Sequence, residues 1–332
     1  MEYNKYNGSE IFFQDLFPAG PPAGAPPLRE RYRVHLLALG DVGSTLAMGL
    51  RLLGGGRIST LGICDVREGV PQRWEFELNQ IISPGGDRFP PVEIVEADRV
   101  LDCDVFLFCA SRFVPDTAVK SGDVRMAQYE LNRPLVVQYA RMARERNFRG
   151  LFCVVSDPVD QLCRAALTES WKNEAGERDG RGLSPGQVRG FGLGVMHARA
   201  MYFAGREPRF ASYLTEGRAF GPHGEGLVIA NSIRRYDSGL SEELTELTKH
   251  ANLQMRAWGY KPYAAPALSS GALSLLACLG GEWHYSSLWL GDVFFGVRNR
   301  LTAGGCEVER LPLPRPLAER LLETAELLRG IG

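Results

Sequence analysis

The sequence predicts an α/β fold, with a doubly wound parallel sheet followed by an α+β unit. Short apolar runs alternate with helical patterns between residues 32 and 192, and a glycine-containing turn joins the first run to the first helix. After about residue 205 the pattern changes to helices and antiparallel strands. Continuous apolar strands that alternate with helices are typical of a parallel sheet covered on both faces.

Each element follows from its local pattern. Strands are predicted over residues 33–39, 58–65, 92–95, 104–109, 151–156 and 188–192. Helices follow the first, second and fourth strands, and Pro134 is expected to kink the third helix. In the second unit, helices are predicted over 240–257, 266–280 and 314–330, and antiparallel strands over 287–297 and 306–311.

These patterns divide the chain into a Pro/Gly-rich extension (1–30), a first domain (31–184) and an α+β substrate domain (185–332). The run of prolines and glycines from Phe17 to Pro27 cannot sustain a helix or a sheet. The apolar segment 11–17 before it could dock on the body or on a neighbouring subunit. A disordered tail is the favoured interpretation.

The composition argues against several classes of function. The net charge of −1 gives no basic surface for nucleic acid or an anionic membrane. There is no apolar run of the roughly 20 residues that a membrane span needs, and the N-terminus lacks a secretory pattern. The seven cysteines are scattered without a CxxC pair, so no metal site is predicted. A reducing cytoplasm is the expected compartment.

The first turn carries a dinucleotide fingerprint. Gly40-Asp41-Val42-Gly43 follows the first strand, with Ala38 in place of the usual first glycine. Glycines at these positions let the backbone approach a pyrophosphate, which the helix N-terminus then faces in a Rossmann-type fold. Asp65 ends the next strand, where it should bind ribose hydroxyls and repel a 2′-phosphate, although Arg67 nearby weakens this preference for NAD. Ala38 is expected to keep a negative φ. The alternative is a glycine turn that binds no nucleotide.

The order of later motifs is more specific. They are, in chain order, Phe108-Cys109-Ala110-Ser111, Arg125, Val155-Ser156-Asp157-Pro158-Val159-Asp160, Met196-His197-Ala198-Arg199 and Gly221-Pro222-His223-Gly224-Glu225. With the glycine turn, they make the chain resemble the lactate/malate dehydrogenase family from about residue 32 to the C-terminus. The resemblance implies an NAD cofactor, a small 2-hydroxy or 2-oxo acid substrate, and a homodimer or homotetramer. It adds Cys109, Ala110, Ser111 and Ser156 to the cofactor-binding residues.

The resemblance also implies catalytic roles. His223 would be the general acid/base, Arg199 would clamp the substrate carboxylate, and Arg125 would polarise the carbonyl. Taken alone, the three residues could be a loop histidine, a surface arginine and an arginine that serves only its helix. Val119 aligns with the position that selects the substrate side chain in the family, and an apolar residue there disfavours malate, which has a second carboxylate. A shifted register could bring the neighbouring Lys120 or Arg112 to that position.

Two departures from the family bear on activity. Met196 stands where the family has the aspartate that holds its histidine, and Asp157 stands where the family has asparagine. We hypothesise that Asp157 supplies the missing carboxylate. The alternative is that Asp157 only caps the helix that starts at Pro158. His197 is a secondary candidate partner for His223.

Three functions therefore compete. The first is an NAD-dependent dehydrogenase or reductase. The second is a catalytically impaired, NAD(H)-binding member with a sensing or interaction role, which Met196 favours. The third is an NAD-dependent glycosidase, for which the sequence offers no Cys/His metal constellation.

Overall fold

The computed structural model describes residues 10–112 and 123–330, and its elements alternate as the sequence predicts. The strands are β1 (Ile11–Phe12), β2 (Tyr32–Leu37), β3 (Ile58–Cys64), β4 (Val92–Ile94), β5 (Val105–Phe108), β6 (Leu151–Val154), β7 (Val188–Gly190), β8 (Arg218–Phe220), β9 (Val228–Ala230), β10 (His284–Trp289), β11 (Phe294–Thr302), β12 (Gly305–Val308) and β13 (Pro312–Leu313). The helices are α1 (Phe13–Leu16), α2 (Asp41–Leu53), α3 (Val70–Asn79), α4 (Asp123–Glu145), α5 (Val159–Ser170), α6 (Leu193–Ala204), α7 (Tyr213–Glu216), α8 (Ser238–Ala257), α9 (Ser274–Leu279) and α10 (Arg315–Gly330). A π-helical segment, Pro266–Leu273, runs directly into α9.

Nine of the described strands form one mixed sheet, in the order β12-β11-β10-β7-β6-β5-β2-β3-β4. The six strands from β7 to β4 are parallel, and their order reverses between β2 and β5. This is the doubly wound arrangement, so the predicted fold class is confirmed. The antiparallel strands of the second half extend the same sheet through the pairing of β10 with β7. The domain boundary between residues 184 and 185 stays a prediction.

The sheet is covered on both faces, as the continuous apolar strands require. On one face, side chains of β2, β3 and β6 pack with α2, the π-helical segment and α9. On the other, side chains of β5 and β6 pack with α4 and α5. The carboxyl ends of β2, β3, β5 and β6 therefore open onto one edge of the sheet, where ligands bind in open α/β folds.

The described second half differs from the prediction at two places: the short antiparallel pair β8 and β9 was not predicted, and one predicted strand is a hairpin. The single strand expected over 287–297 is the end of β10, a turn and the start of β11. The turn is closed by a hydrogen bond from the Leu290 N–H to the Val293 carbonyl oxygen, at 2.8 Å, with Gly291 at a φ of +93°. Leu290 and Val293 are both buried. The apolar pattern thus continues through the turn, so the sequence gives no signal that the strand ends there.

The N-terminal segment is ordered from residue 10, so the prediction of a disordered tail is wrong for the described part. β1 pairs antiparallel with β13. Phe13 and Phe17 are buried, and the Phe17 ring centroid lies 4.9 Å from that of Phe295. Farther along, the Gly186 N–H donates to the Ala23 carbonyl oxygen at 2.7 Å. The proline- and glycine-rich run forms no regular structure, but the aromatic residues before it anchor it to the body.

No helix in the described residues is long and apolar enough to cross a bilayer. The seven cysteines are all free thiols.

Candidate active site

The glycine turn between β2 and α2 has the open backbone that a phosphate group needs. Gly40 is the N-cap of α2, no side chain caps this end, and a Cβ built on Gly40 would meet no atom within 4 Å. A Cβ on Gly43 would lie 1.9 Å from the Ala38 carbonyl oxygen, so only glycine fits there. Nearby, the Asp41 carboxylate pairs with the Lys261 ammonium at 3.4 Å. The exposed N–H groups of a helix N-terminus suit the pyrophosphate of a dinucleotide.

Ala38 adopts a φ of +76°, so the expectation of a negative φ is wrong. The tight turn requires the left-handed conformation whichever residue occupies it. The Ala38 N–H donates to the Cys64 carbonyl oxygen at 2.7 Å, which fixes the turn against the end of β3. An L-residue in this conformation costs roughly 1–2 kcal/mol, which glycine would avoid. The turn therefore keeps the fingerprint's shape at some cost in stability.

Asp65 lies at the end of β3, as predicted, but its carboxylate is already bound. The side chain is only 3% exposed. Oδ2 accepts from the Leu39 N–H at 2.7 Å and from Arg67 Nη2 at 2.8 Å, and Oδ1 accepts from Arg67 Nε at 2.9 Å and from the Arg67 N–H at 3.0 Å. Burial raises the pKa of Asp65, but the hydrogen bonds from Arg67 and Leu39 outweigh it and hold the pKa below its usual value. The group facing solvent is the Arg67 guanidinium.

His223 and Asp157 form a hydrogen-bonded pair. Nδ1 of His223 lies 3.0 Å from Oδ1 of Asp157. The histidine side chain is 16% exposed and the aspartate side chain 43% exposed, so the carboxylate is the more accessible member of the pair. Gly192 leaves room for the imidazole, because a Cβ there would lie 2.9 Å from the His223 Cβ. A carboxylate at this distance can fix the imidazole tautomer and stabilise its charged form.

Arg199 on α6 is close enough to Asp157 for the two charges to interact. Its guanidinium is largely buried, which lowers its pKa, and the negative charge of Asp157 partly offsets this effect. Nη1 contacts the Met196 sulfur at 3.7 Å, and Met196 is buried. A thioether is a weak acceptor, so it leaves the guanidinium available for a stronger one. Asp157 thus brings His223 and Arg199 together.

Asn132 is the functional candidate that the sequence analysis missed. It is fully buried on α4 and bridges two loops at the carboxyl edge of the sheet. Its Oδ1 accepts from the Arg112 N–H at 2.8 Å, and its Nδ2 donates to Ser111 Oγ at 3.2 Å and to the Asp157 carbonyl oxygen at 2.9 Å. The available signal was an asparagine inside a helix, where it is a poor helix former. Asn132 holds the main chain that carries Asp157.

The other predicted cofactor residues lie in these same loops. Ser156 is buried and donates from Oγ to the Ala110 carbonyl oxygen at 2.8 Å. Burial raises the pKa of Cys109 to about 12, which keeps its thiol protonated. Val42 packs against the core beneath the glycine turn. These contacts tie the loop after β5 to the loop after β6.

The structure leaves some predicted residues untested. Arg125 lies in the first turn of α4, but its side chain is outside the described residues, and Val119 is outside them altogether. His197 points elsewhere, because its Nδ1 lies 2.9 Å from the Tyr213 hydroxyl. Burial, with the charge of Arg218, lowers the pKa of His197 to about 4. Within the described residues, no group of three or more His, Cys, Asp or Glu side chains could hold a metal ion.

Comparison with characterised proteins supports the resemblance. The chain is 24% identical over 198 residues to the L-lactate dehydrogenase of Staphylococcus haemolyticus, a match that covers 60% of this chain and 56% of the relative. It is 24% identical over 333 residues to the malate dehydrogenase of Sorangium cellulosum, which covers 92% of this chain and 97% of the relative. No protein-family model matches the chain.

Solved structures show the same fold. A lactate dehydrogenase from a Medee basin deep-sea metagenome library superposes with a TM-score of 0.73 at 18% identity, covering 91% of this chain and 98% of that one. A malate dehydrogenase from Archaeoglobus fulgidus, solved in complex with NADH, gives a TM-score of 0.69 at 19% identity, covering 90% and 97%. The resemblance inferred from the order of motifs is confirmed, and the fold is that of lactate and malate dehydrogenases.

Proposed function

We propose that this chain is an NAD-dependent oxidoreductase of the lactate/malate dehydrogenase type, which transfers hydride between NAD(H) and a small 2-hydroxy or 2-oxo acid. The observation that carries the proposal is the convergence of His223 and Arg199 on Asp157, at the edge of the sheet where the glycine turn lies. A general acid/base beside a guanidinium is the minimum that reduction of a 2-oxo acid requires. Simple nucleotide binding needs neither group.

The cofactor would bind along the carboxyl edge of the sheet. Gly40, Asp41, Val42 and Gly43 would hold the pyrophosphate at the N-terminus of α2, and Asp65 with its partner Arg67 would meet the adenosine ribose. Ser111 and Ser156, in the loops after β5 and β6, would flank the nicotinamide half. When bound, the nicotinamide ring supplies or accepts the hydride.

His223 acts as the general acid/base. Its Nδ1 is bound to Asp157, which leaves Nε2 as the nitrogen that gives a proton to the substrate carbonyl oxygen or takes one from the hydroxyl. The carboxylate stabilises the imidazolium form, from which the proton leaves in the reduction direction. This is the role that Asp157 takes over from the aspartate replaced by Met196.

Arg199 would hold the substrate carboxylate through two parallel N–H bonds, which fix its position and its orientation. Arg125 would come to the carbonyl oxygen from the start of α4 and stabilise its developing charge. Val119 would contact the substrate side chain, and an apolar contact there favours a 2-oxo acid without a second carboxylate. A cytoplasmic homo-oligomer is the state we propose for the protein.

A second candidate function rests on Met196. Its buried thioether sits three residues before Arg199, on the same helical face, where the family places a carboxylate. If Asp157, which is more exposed, does not replace that carboxylate, the chain would bind NAD(H) without efficient turnover and act as a sensor or interaction protein.

One experiment separates the two. The purified protein is mixed with NADH and a panel of 2-oxo acids, from pyruvate to branched and aromatic members, while absorbance at the nicotinamide band and NADH fluorescence are both followed. Turnover that is lost in Arg199→Gln and kept in Arg206→Gln, a control arginine just beyond α6, supports the dehydrogenase. Binding of NADH without turnover of any substrate supports the impaired member, and absence of NADH binding refutes both.

A further inference from the structure

The ribose end of the cofactor site presents a cation rather than a carboxylate. In the dinucleotide fingerprint, the acidic residue after the second strand accepts the ribose hydroxyls and repels a 2′-phosphate. Here Asp65 is almost completely buried, and both of its oxygens accept hydrogen bonds from the protein. Arg67 covers it, with a side chain that is 57% exposed.

The geometry of the pair keeps this cation in place. Arg67 binds Asp65 through two side-chain nitrogens and its own backbone N–H, so the guanidinium is held flat against the carboxylate. Bidentate contacts of this kind are stronger and more oriented than single ones. Because the pair is neutral overall, Asp65 no longer presents a net negative charge to an incoming phosphate.

The guanidinium still has donors to offer. It carries five N–H groups, and two of them donate to Asp65, which leaves the other three for a ligand. Among the described residues, no further acceptor takes them. A guanidinium with outward N–H groups matches the geometry of a phosphate, and an arginine near this position accommodates the 2′-phosphate of NADP in related folds.

We propose that Arg67, seated on Asp65, is a specificity-determining residue that lets the site accept a 2′-phosphorylated adenosine, so the chain binds NADPH as well as NADH. The inference rests on the proposed cofactor function and extends it to the phosphorylated cofactor. It extends the sequence-based expectation that Arg67 weakens the preference for NAD that Asp65 sets. The competing possibility is that the ribose displaces the Arg67 side chain, so that the Asp65 carboxylate binds the ribose hydroxyls and repels a 2′-phosphate.

The test compares the two reduced cofactors, which differ only in the 2′-phosphate. Each is titrated into the protein in low salt and binding is followed by nicotinamide fluorescence, which needs no substrate. We expect the Kd for NADPH to lie within tenfold of that for NADH. Arg67→Ala should raise the ratio of the NADPH Kd to the NADH Kd at least tenfold, while Arg73→Ala, which changes an exposed arginine on the next helix, should leave that ratio as it is in the wild type.

The outcomes are distinct. A wild-type Kd for NADPH more than tenfold above that for NADH overturns the inference and leaves the proposed function standing. So does an Arg67→Ala protein in which the ratio of the two Kd values is unchanged. If neither cofactor binds, the proposed function itself fails, and the inference fails with it.

Discussion

Replacing Asp157 with asparagine isolates the charge of the carboxylate that touches His223. Asparagine keeps an oxygen that can accept from Nδ1, so the tautomer and the loop are expected to persist. What is lost is the attraction between the carboxylate and an imidazolium. At the observed 3.0 Å, Coulomb's law gives about 5.5 kcal/mol for an effective dielectric constant of about 20 and about 1.4 kcal/mol for bulk water.

The solvent exposure of the pair decides where between these limits the effect falls. The Asp157 side chain is 43% exposed and that of His223 is 16% exposed, which places the interaction in the lower half, at about 2–3 kcal/mol. That corresponds to a loss of roughly 30- to 150-fold in kcat/KM.

The assay is steady-state NADH oxidation from pH 5.5 to 9 with the best 2-oxo acid from the panel. Melting curves of both proteins control for folding. The double variant Asp157→Asn, Met196→Asp returns a carboxylate to the position where the family has one. Its kcat/KM should be at least tenfold higher than that of Asp157→Asn alone. An Asp157→Asn enzyme with wild-type kcat/KM at every pH would refute the idea that this carboxylate serves the histidine.

Three further predictions concern stability. Ala38→Gly relieves the left-handed alanine and should stabilise the chain by about 1 kcal/mol, seen as a rise in the urea midpoint; a lower midpoint would contradict the strain argument. Phe13→Ala removes a buried ring that packs 6.1 Å from Phe295 and should cost about 3 kcal/mol, whereas a change below about 0.5 kcal/mol would mean that the N-terminal segment is not docked. Burial holds the pKa of His284 at about 3 and that of His197 at about 4, so the unfolded chain binds protons that the native chain does not. The contribution of these two histidines to the free energy of unfolding should therefore be fully present above about pH 6.5 and should fall toward pH 4 by about 1.4 kcal/mol per pH unit for each histidine. Urea titrations at several pH values test this, and His284→Asn should make the dependence of stability on pH less steep. A urea midpoint that does not change with pH would rule it out.

The alternation of apolar strands and helices was enough to predict the doubly wound sheet, because buried parallel strands have a distinctive continuous pattern. The same signal failed at the turn after β10, where Leu290 and Val293 are as apolar as the strands they join. It also failed for the N-terminal segment, because burial of Phe13 and Phe17 depends on a groove that distant parts of the chain create. Local composition cannot report a partner far away in sequence.

In the candidate site, too, the sequence predicted some features and only the structure revealed others. The order of motifs pointed to His223, Arg199 and Asp157, and the structure brings the three together. It could not reveal that Asp65 is covered by Arg67, since two residues of sequence separation do not specify side-chain geometry. Nor could it identify Asn132, whose importance comes from hydrogen bonds to two loops that meet only in the folded chain.

The position of Asn132 on α4 has a mechanical consequence. Arg125 precedes it by seven residues, or about two turns of the same rigid helix. The helix that carries Arg125 is therefore linked, through the Asn132 side-chain amide, to the peptide that bears Asp157. Under the roles proposed for Arg125 and Asp157, a shift of this helix on substrate binding would also move Asp157, so the carbonyl-polarising cation and the carboxylate that binds His223 would change position together.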